Sequence, residues 1–193
     1  MRTAVSSTKR ISWKTVFTDK RLFPSWSKKA PENYPLLAAA SHSGRYRRHS
    51  SFLRKNRGHI RVFADIGCAI ACGAPTTINA KRVLGKESKV FAVDIVDLEQ
   101  LGPETKQKLG RGKVTPLAHS ISKEPLPFKC DAIRFANVSY YMTQSDRRKA
   151  LVNIWRSLKN GGYLLGAEVK LSRGSYQFVL RKKGRGFEII QAP

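Results

Sequence analysis

Hydrophobic and polar positions fall into two regimes that meet near residue 60. Residues 1–60 show no sustained period. Pro24, Pro31 and Pro35 interrupt "FPSWSKKAPENYPLL", each blocking a helix locally, and "SHSGRYRRHSSFLRKNRGH" is polar and basic. This predicts an extended or partly ordered extension, with short helices only around 35–41 or 50–55. Trp13, Phe17, Phe23, Trp26 and Tyr34 are its candidate anchors to the body. From Ile60 to about Glu168, short apolar runs alternate with stretches of helical spacing. "IRVFADI", "KVFAVDI", "KVTPLAHS", "CDAIRFANV" and "YLLGAEV" read as strands, being apolar runs between turn-forming residues.

Between them, "PTTINAKRVL" starts with Pro75 and stops at Gly85, a favoured helix opening and ending. "DLEQLGPETKQKLG" predicts a loop and a short helix. "QSDRRKALVNIWRSLKNGG" is the clearest helix: Ala150, Leu151, Ile154, Trp155 and Leu158 repeat at helical spacing, Ser145 is its expected cap, and Gly161 and Gly162 its expected end. After the fifth strand the alternation stops. "SYQFVLRKKGRGFEIIQ" has two runs about 182–186 with no helix between them, a β-hairpin. The expected architecture is α/β: a doubly wound, Rossmann-like, mostly parallel seven-stranded sheet with a C-terminal antiparallel hairpin. Two parts follow, a basic extension over 1–60 and a ligand-binding domain over 61–193.

In such a sheet, ligands sit beyond the carboxyl ends of the strands, where strand order reverses. Asp65 and Asp94 close the first two strands, and between them "GCAIACGA" forms a turn of small residues, which lets backbone approach a ligand closely. A carboxylate ending the second strand can accept both hydroxyls of a ribose. The turn has neither G-x-G-x-x-G nor a P-loop lysine, so it does not cradle a pyrophosphate. A carboxylate at Asp65 suits the ammonium of an amino-acid moiety instead. Ribose, adenine and an amino acid together describe S-adenosylmethionine.

These residues carry a resemblance. "FADIGCAIACGAPT", "VFAVDI", "HSISKEPLPFKCDAIRFANVSYYM" and "ALVNIWRSLKNGGYLL", in this order, resemble the motifs of class I S-adenosylmethionine-dependent methyltransferases of the type 11-like group. The resemblance implies that Asp65, Gly67, Cys68, Ala69 and Gly73 surround the methionine moiety. It also implies that Asp94 holds the ribose, Ile95 lies on the adenine, Ser120 caps the adenine amine, and Asn137 faces the transferred methyl. Ala69 and Ala71 stand where the family has glycine.

Composition adds a partner. The 193 residues carry 37 Lys and Arg against 13 Asp and Glu, a formal charge of +24. Residues 1–61 hold 15 basic and 2 acidic side chains, and 62–193 hold 22 and 11. Such a field attracts polyanions, and the basic N-terminal arm, with Tyr46 and Phe52 beside its clusters, is the expected place for nucleic acid. His119, Tyr140 and Tyr141 are candidates for the acceptor pocket, His119 as a base. The Asn/Asp-Pro-Pro-aromatic motif of exocyclic-amine methylation is absent from "NVSY", and no Pro-Cys nucleophile occurs. Cys68, Cys72 and Cys130 lack the paired spacing of a zinc site, so no metal is expected.

No apolar run is long enough to span a bilayer. A cytoplasmic location is expected, or an organelle matrix if residues 1–30 form a transit peptide. Two functions fit: methyl transfer to an unidentified acceptor, small molecule or RNA, and a non-catalytic Rossmann-like protein that binds nucleic acid through its basic surface.

Overall fold

The computed structural model describes residues 10–12, 44–169 and 175–192 of the chain. The expected anchors from Trp13 to Tyr34, the helix about 35–41, and nearly all of a transit segment fall outside these residues. One sheet holds eight strands: β1 (Arg10–Ser12), β2 (Val62–Ile66), β3 (Lys89–Asp94), β4 (Thr115–Ala118), β5 (Cys130–Ala136), β6 (Leu158–Val169), β7 (Ser175–Lys183) and β8 (Gly186–Gln191). Their order is β1-β8-β7-β6-β5-β2-β3-β4. The five central strands, β4 to β6 across the sheet, pair in parallel, while β7, β8 and β1 add antiparallel edges. The doubly wound sheet and the C-terminal hairpin are as expected. β1 is the addition: three residues of the extension pair with β8.

Helices α2 (Pro75–Leu84), α3 (Pro103–Arg111) and α4 (Gln144–Ser157) lie in the crossovers β2–β3, β3–β4 and β5–β6. Alternation along the strands builds two cores. On one face Ile66, Val93, Ile133 and Phe135 pack with Leu151 and Ile154 of α4. On the other, Phe63, Val90 and Ala132 pack with Ala80 and Leu84 of α2, Leu109 of α3, and Leu53. Leu53 belongs to α1 (Arg47–Lys55), the second helix expected in the extension. Tyr46, His49, Leu53 and Ile60 are all buried, so this stretch is part of the domain, and the core begins before residue 61.

Two boundaries differ from the sequence expectation. Thr143, rather than Ser145, caps α4: its Oγ1 accepts from Asp146 N at 3.1 Å and donates to the Asp146 carboxylate at 2.7 Å. This closes a reciprocal cap one turn earlier than the apolar spacing suggests. Gly161 and Gly162 do not end the helix, which stops at Ser157. They lie in β6, where the register against β5 slips between Cys130↔Leu158 and Ala132↔Tyr163. A Cβ on Gly162 would stand 3.0–3.2 Å from the carbonyl oxygens of Lys159, Asp131 and Cys130, so this bulge needs glycine for its close backbone approach.

Candidate active site

Strand order reverses between β2 and β5, and the residues beyond the carboxyl ends of β2, β3 and β5 meet there. Gly67 N donates to Val93 O at 2.8 Å, and His119 N to Asp94 O at 2.8 Å, so the exits of β2, β3 and β4 are tied into one rim. The small-residue turn folds as a tight 3₁₀ turn, Ile70–Cys72, entered through left-handed Ala69 (φ 58°) and left through Gly73 and Ala74 (φ 80° and 44°). Three consecutive reversals of this kind leave room for small residues alone, which accounts for the composition of the turn. Ile70 N donates to Asp94 Oδ2 at 3.2 Å, and Ile95 N to Oδ1 at 2.9 Å. Asp94 is thereby held on two sides, with a second acceptor direction left on each oxygen.

Ile95 follows with 80 % of its surface exposed, a large apolar side chain open beside a half-buried carboxylate. His119 and Ser120 lie on the same rim, directly after β4. Asn137 leaves β5 in a left-handed conformation (φ 58°), and its Nδ2 donates to Tyr46 Oη at 3.0 Å. Its Oδ1 is buried without a hydrogen-bond partner. An acceptor left unpaired in this way costs about 1–3 kcal/mol, which a bound donor would offset. Val138 packs on the bare Cα of Gly67; a Cβ there would come within 2.4 Å of a Val138 methyl.

Asp65 is placed differently from expectation. Its side chain turns into the core, where Arg134, its direct partner across β5, meets it through two contacts. Arg134 Nε donates to Oδ1 at 2.8 Å and Nη2 to Oδ2, while Thr77 Oγ1 and Thr76 Oγ1 of α2 donate to Oδ2 at 2.6 and 3.2 Å. Asp65 is 2 % and Arg134 1 % exposed. The Arg134 guanidinium also lies between two rings, 4.8 Å from the centre of Tyr46 and 5.6 Å from that of Phe63. Burial works against its charge, yet the Asp65 carboxylate, by charge and hydrogen bond together, outweighs this, and the pKa of Arg134 is raised. Direct capture of an ammonium by the Asp65 carboxylate is therefore corrected. The group is saturated by donors and closed off from the rim.

His49 of α1 sits beside this pair, fully buried, with Nε2 3.1 Å from the Gly166 carbonyl. Burial and the nearby Arg134 charge push its pKa down to about 3, so the ring is neutral near pH 7 and donates from Nε2. An unfolded chain takes up a proton on this histidine near its ordinary pKa of ~6.5, and the native protein does so only near 3. The stability that His49 contributes is thus complete above about 6.5 and is lost as pH falls towards 3. Between pH 6 and 4 the wild-type protein is expected to lose up to about 1.4 kcal/mol per pH unit more than His49→Met, measured by urea unfolding across that range. Parallel slopes would mean that the ring titrates normally.

The other sequence candidates divide. Cys68 is buried, and burial, reinforced by Asp65, pushes its thiol well up, as burial does for Cys130, to about 12; neither supplies a thiolate. The His119 ring is engaged by Glu124, with Nε2 3.1 Å from its carbonyl and Nδ1 3.9 Å from its carboxylate, so a base role has no free nitrogen. Ser120 Oγ is 3.1 Å from Ser122 Oγ, half-buried on the rim. Tyr140 and Tyr141 fall in a 3₁₀ turn just after Asn137, and Tyr141 is 53 % exposed. Sequence reasoning missed Arg134, Thr76, Thr77, Tyr46 and His49. A lone arginine inside the apolar run "CDAIRFANV" was the available signal.

The sheet order and the cofactor rim define a class I S-adenosylmethionine-dependent methyltransferase. The chain belongs to the ubiE/COQ5 methyltransferase family, whose model matches residues 36–179. This span includes α1, as the core does. No curated protein matches the chain in sequence. Among solved structures, a S-adenosylmethionine-dependent methyltransferase from Clostridium acetobutylicum shares the fold with a TM-score of 0.52 and 15 % identity, over 80 % of this chain and 74 % of that one. The N-methyltransferase NodS from Bradyrhizobium japonicum, in complex with S-adenosyl-L-homocysteine, aligns with a TM-score of 0.49 and 19 % identity over 76 % and 72 %.

The residues present fit S-adenosylmethionine. Asp94 retains acceptor directions for a diol, Ile95 offers an open apolar face, and the buried Asn137 Oδ1 lacks a donor. No helix among the described residues is long and apolar enough to cross a membrane.

Proposed function

We propose that the protein transfers the methyl group of S-adenosylmethionine to an acceptor, a small molecule or RNA, that needs no general base from the enzyme. The observation that carries this reading is the chemistry around the β5 exit. Asn137, Val138 and exposed Tyr141 supply polarity and surface there, while the nearest histidine, His119, is tied to Glu124. S-adenosylmethionine supplies a sulfonium leaving group, so alignment of donor and acceptor can carry much of the acceleration. Asp94 would hold the ribose and Ile95 the adenine. Asn137 Oδ1 would receive the amino-acid ammonium, the role that Asp65, paired with Arg134, cannot take. Tyr46 locks the Asn137 amide through its hydroxyl, so α1 helps to fix the site.

The test is transfer of labelled methyl from S-adenosylmethionine into fractionated RNA, protein and metabolite pools. Incorporation into one fraction is expected, with His119→Gln retaining the rate to within a few-fold. A collapse of the rate in His119→Gln without loss of cofactor binding would restore the histidine as base. The second reading, a non-catalytic protein that binds nucleic acid, is favoured by Ala69 and Ala71 in the turn. It predicts no incorporation into any pool.

A further inference from the structure

A cleft of about 470 Å³ opens between the C-terminal ends of α2 and α3, and six of its nine lining residues are cations: Lys81, Arg82, Lys86, Lys108, Arg111 and Lys113. Two of the six are already engaged. Lys81 Nζ donates to the carbonyls of Lys86 and Ser88 at 3.1 and 2.5 Å, and Lys108 pairs with Glu104 at 2.7 Å. Arg82, Lys86, Arg111 and Lys113 are exposed and make no ion pair among the described residues. Complementing helix dipoles explains cations in the last turns, such as Arg82 and Arg111, but Lys86 and Lys113 stand in the loops beyond. Lys113 is carried there in a left-handed turn (φ 52°) and Gly85 in another positive-φ turn (88°), which bring both loops to the cleft.

We propose that this cleft is a docking surface for the phosphodiester backbone of a nucleic acid. Four like charges without counter-ions converge on one concavity, an arrangement that repels itself unless anions are supplied. The cations belong to both walls, so a ridge of phosphates can reach them all, whereas a flat lipid surface cannot. No aromatic side chain lines the cleft, so bases have nothing to stack on, and recognition falls on phosphates irrespective of sequence. The surface continues at the amino ends of neighbouring strands, where Lys89 opens β3 and Arg61 precedes β2, both exposed.

Asp94 and Asn137 stand at the carboxyl ends of the same parallel strands. A polymer held at the cleft therefore leaves the cofactor rim open, and the surface is separate from the N-terminal arm. The proposal does not depend on which acceptor is methylated.

The test uses the full chain and short labelled duplexes of RNA and DNA of one sequence, followed by fluorescence anisotropy across a salt series. Arg82→Gln/Lys86→Gln/Arg111→Gln/Lys113→Gln removes the four unpaired charges; Arg148→Gln/Lys149→Gln/Arg156→Gln/Arg185→Gln removes as many exposed charges elsewhere. The cleft variant is expected to lose at least about tenfold in affinity near 0.1 M salt, and its log–log salt slope to become shallower by about 3 to 4, while the control variant keeps the wild-type slope to within about 1. Whichever duplex binds more tightly identifies the polymer, and either result upholds the site. Equal losses in both variants would mean diffuse attraction by net charge. An unchanged cleft variant, or binding only to phosphatidylserine vesicles, would equally overturn the proposal. Unchanged thermal unfolding of the cleft variant is expected, because none of the four side chains has a partner to lose.

Discussion

Replacing Arg134 by methionine is expected to lower stability by about 3–5 kcal/mol, because it strands the Asp65 carboxylate in the core. Two threonine hydroxyls would remain to satisfy a full charge that now meets a guanidinium at both oxygens. Asp65→Asn strands the opposite charge and is expected to cost a similar amount. It also removes the counter-ion that holds the Arg134 charge against burial. The double variant Asp65→Asn/Arg134→Met leaves no buried charge, and an amide oxygen still accepts from Thr77. Its loss is expected to be smaller than that of either single variant. Urea unfolding of the four proteins checks this as a double-mutant cycle. Additive losses would mean that the two charges do not depend on each other.

The second large effect belongs to Asp94. A charge-assisted hydrogen bond is worth about 1.5–3 kcal/mol, and a diol makes two with one carboxylate, so Asp94→Ala is expected to weaken S-adenosylhomocysteine binding by at least about 100-fold. Alanine also releases Ile70 N and Ile95 N, and with them the turn that shapes the rim. Asp94→Asn separates these contributions. It keeps one acceptor and the shape of the turn but loses the charge, and a fall of about tenfold is expected. Equal loss in both variants would place the effect in the shape of the turn, and no loss in either would remove Asp94 from the cofactor.

The parallel sheet and its hairpin were legible because five strands are nearly continuous apolar runs, and because Pro75, Gly85 and Gly184 mark their neighbours' ends. The position of Asp94 was legible as well, since a strand-ending carboxylate beside an exposed isoleucine is local in sequence. The role of Asp65 was not. Its partner, Arg134, is 69 residues away, and only the pairing of β2 with β5 sets the two side chains opposite each other on one face. Sequence spacing cannot tell a carboxylate that faces a ligand from one that faces a counter-ion inside.

The extension hid two further contributors. Tyr46 and His49 lie in a polar, basic stretch, and their burial becomes visible only once α1 lies on the sheet. The basic cleft escaped notice for a related reason. Its charges come from two helix ends and two loops, none of which forms a cluster in sequence as dense as those of the N-terminal arm.

Calorimetric titration of S-adenosylhomocysteine into the wild-type protein, Asp94→Ala and Asp65→Asn/Arg134→Met addresses the assignment of one carboxylate to the cofactor and the other to the scaffold. Saturable binding is expected in the wild type and, at similar affinity, in the double variant wherever it is folded, with binding lost in Asp94→Ala. Retained binding in Asp94→Ala, together with its loss in a folded double variant, would contradict that assignment.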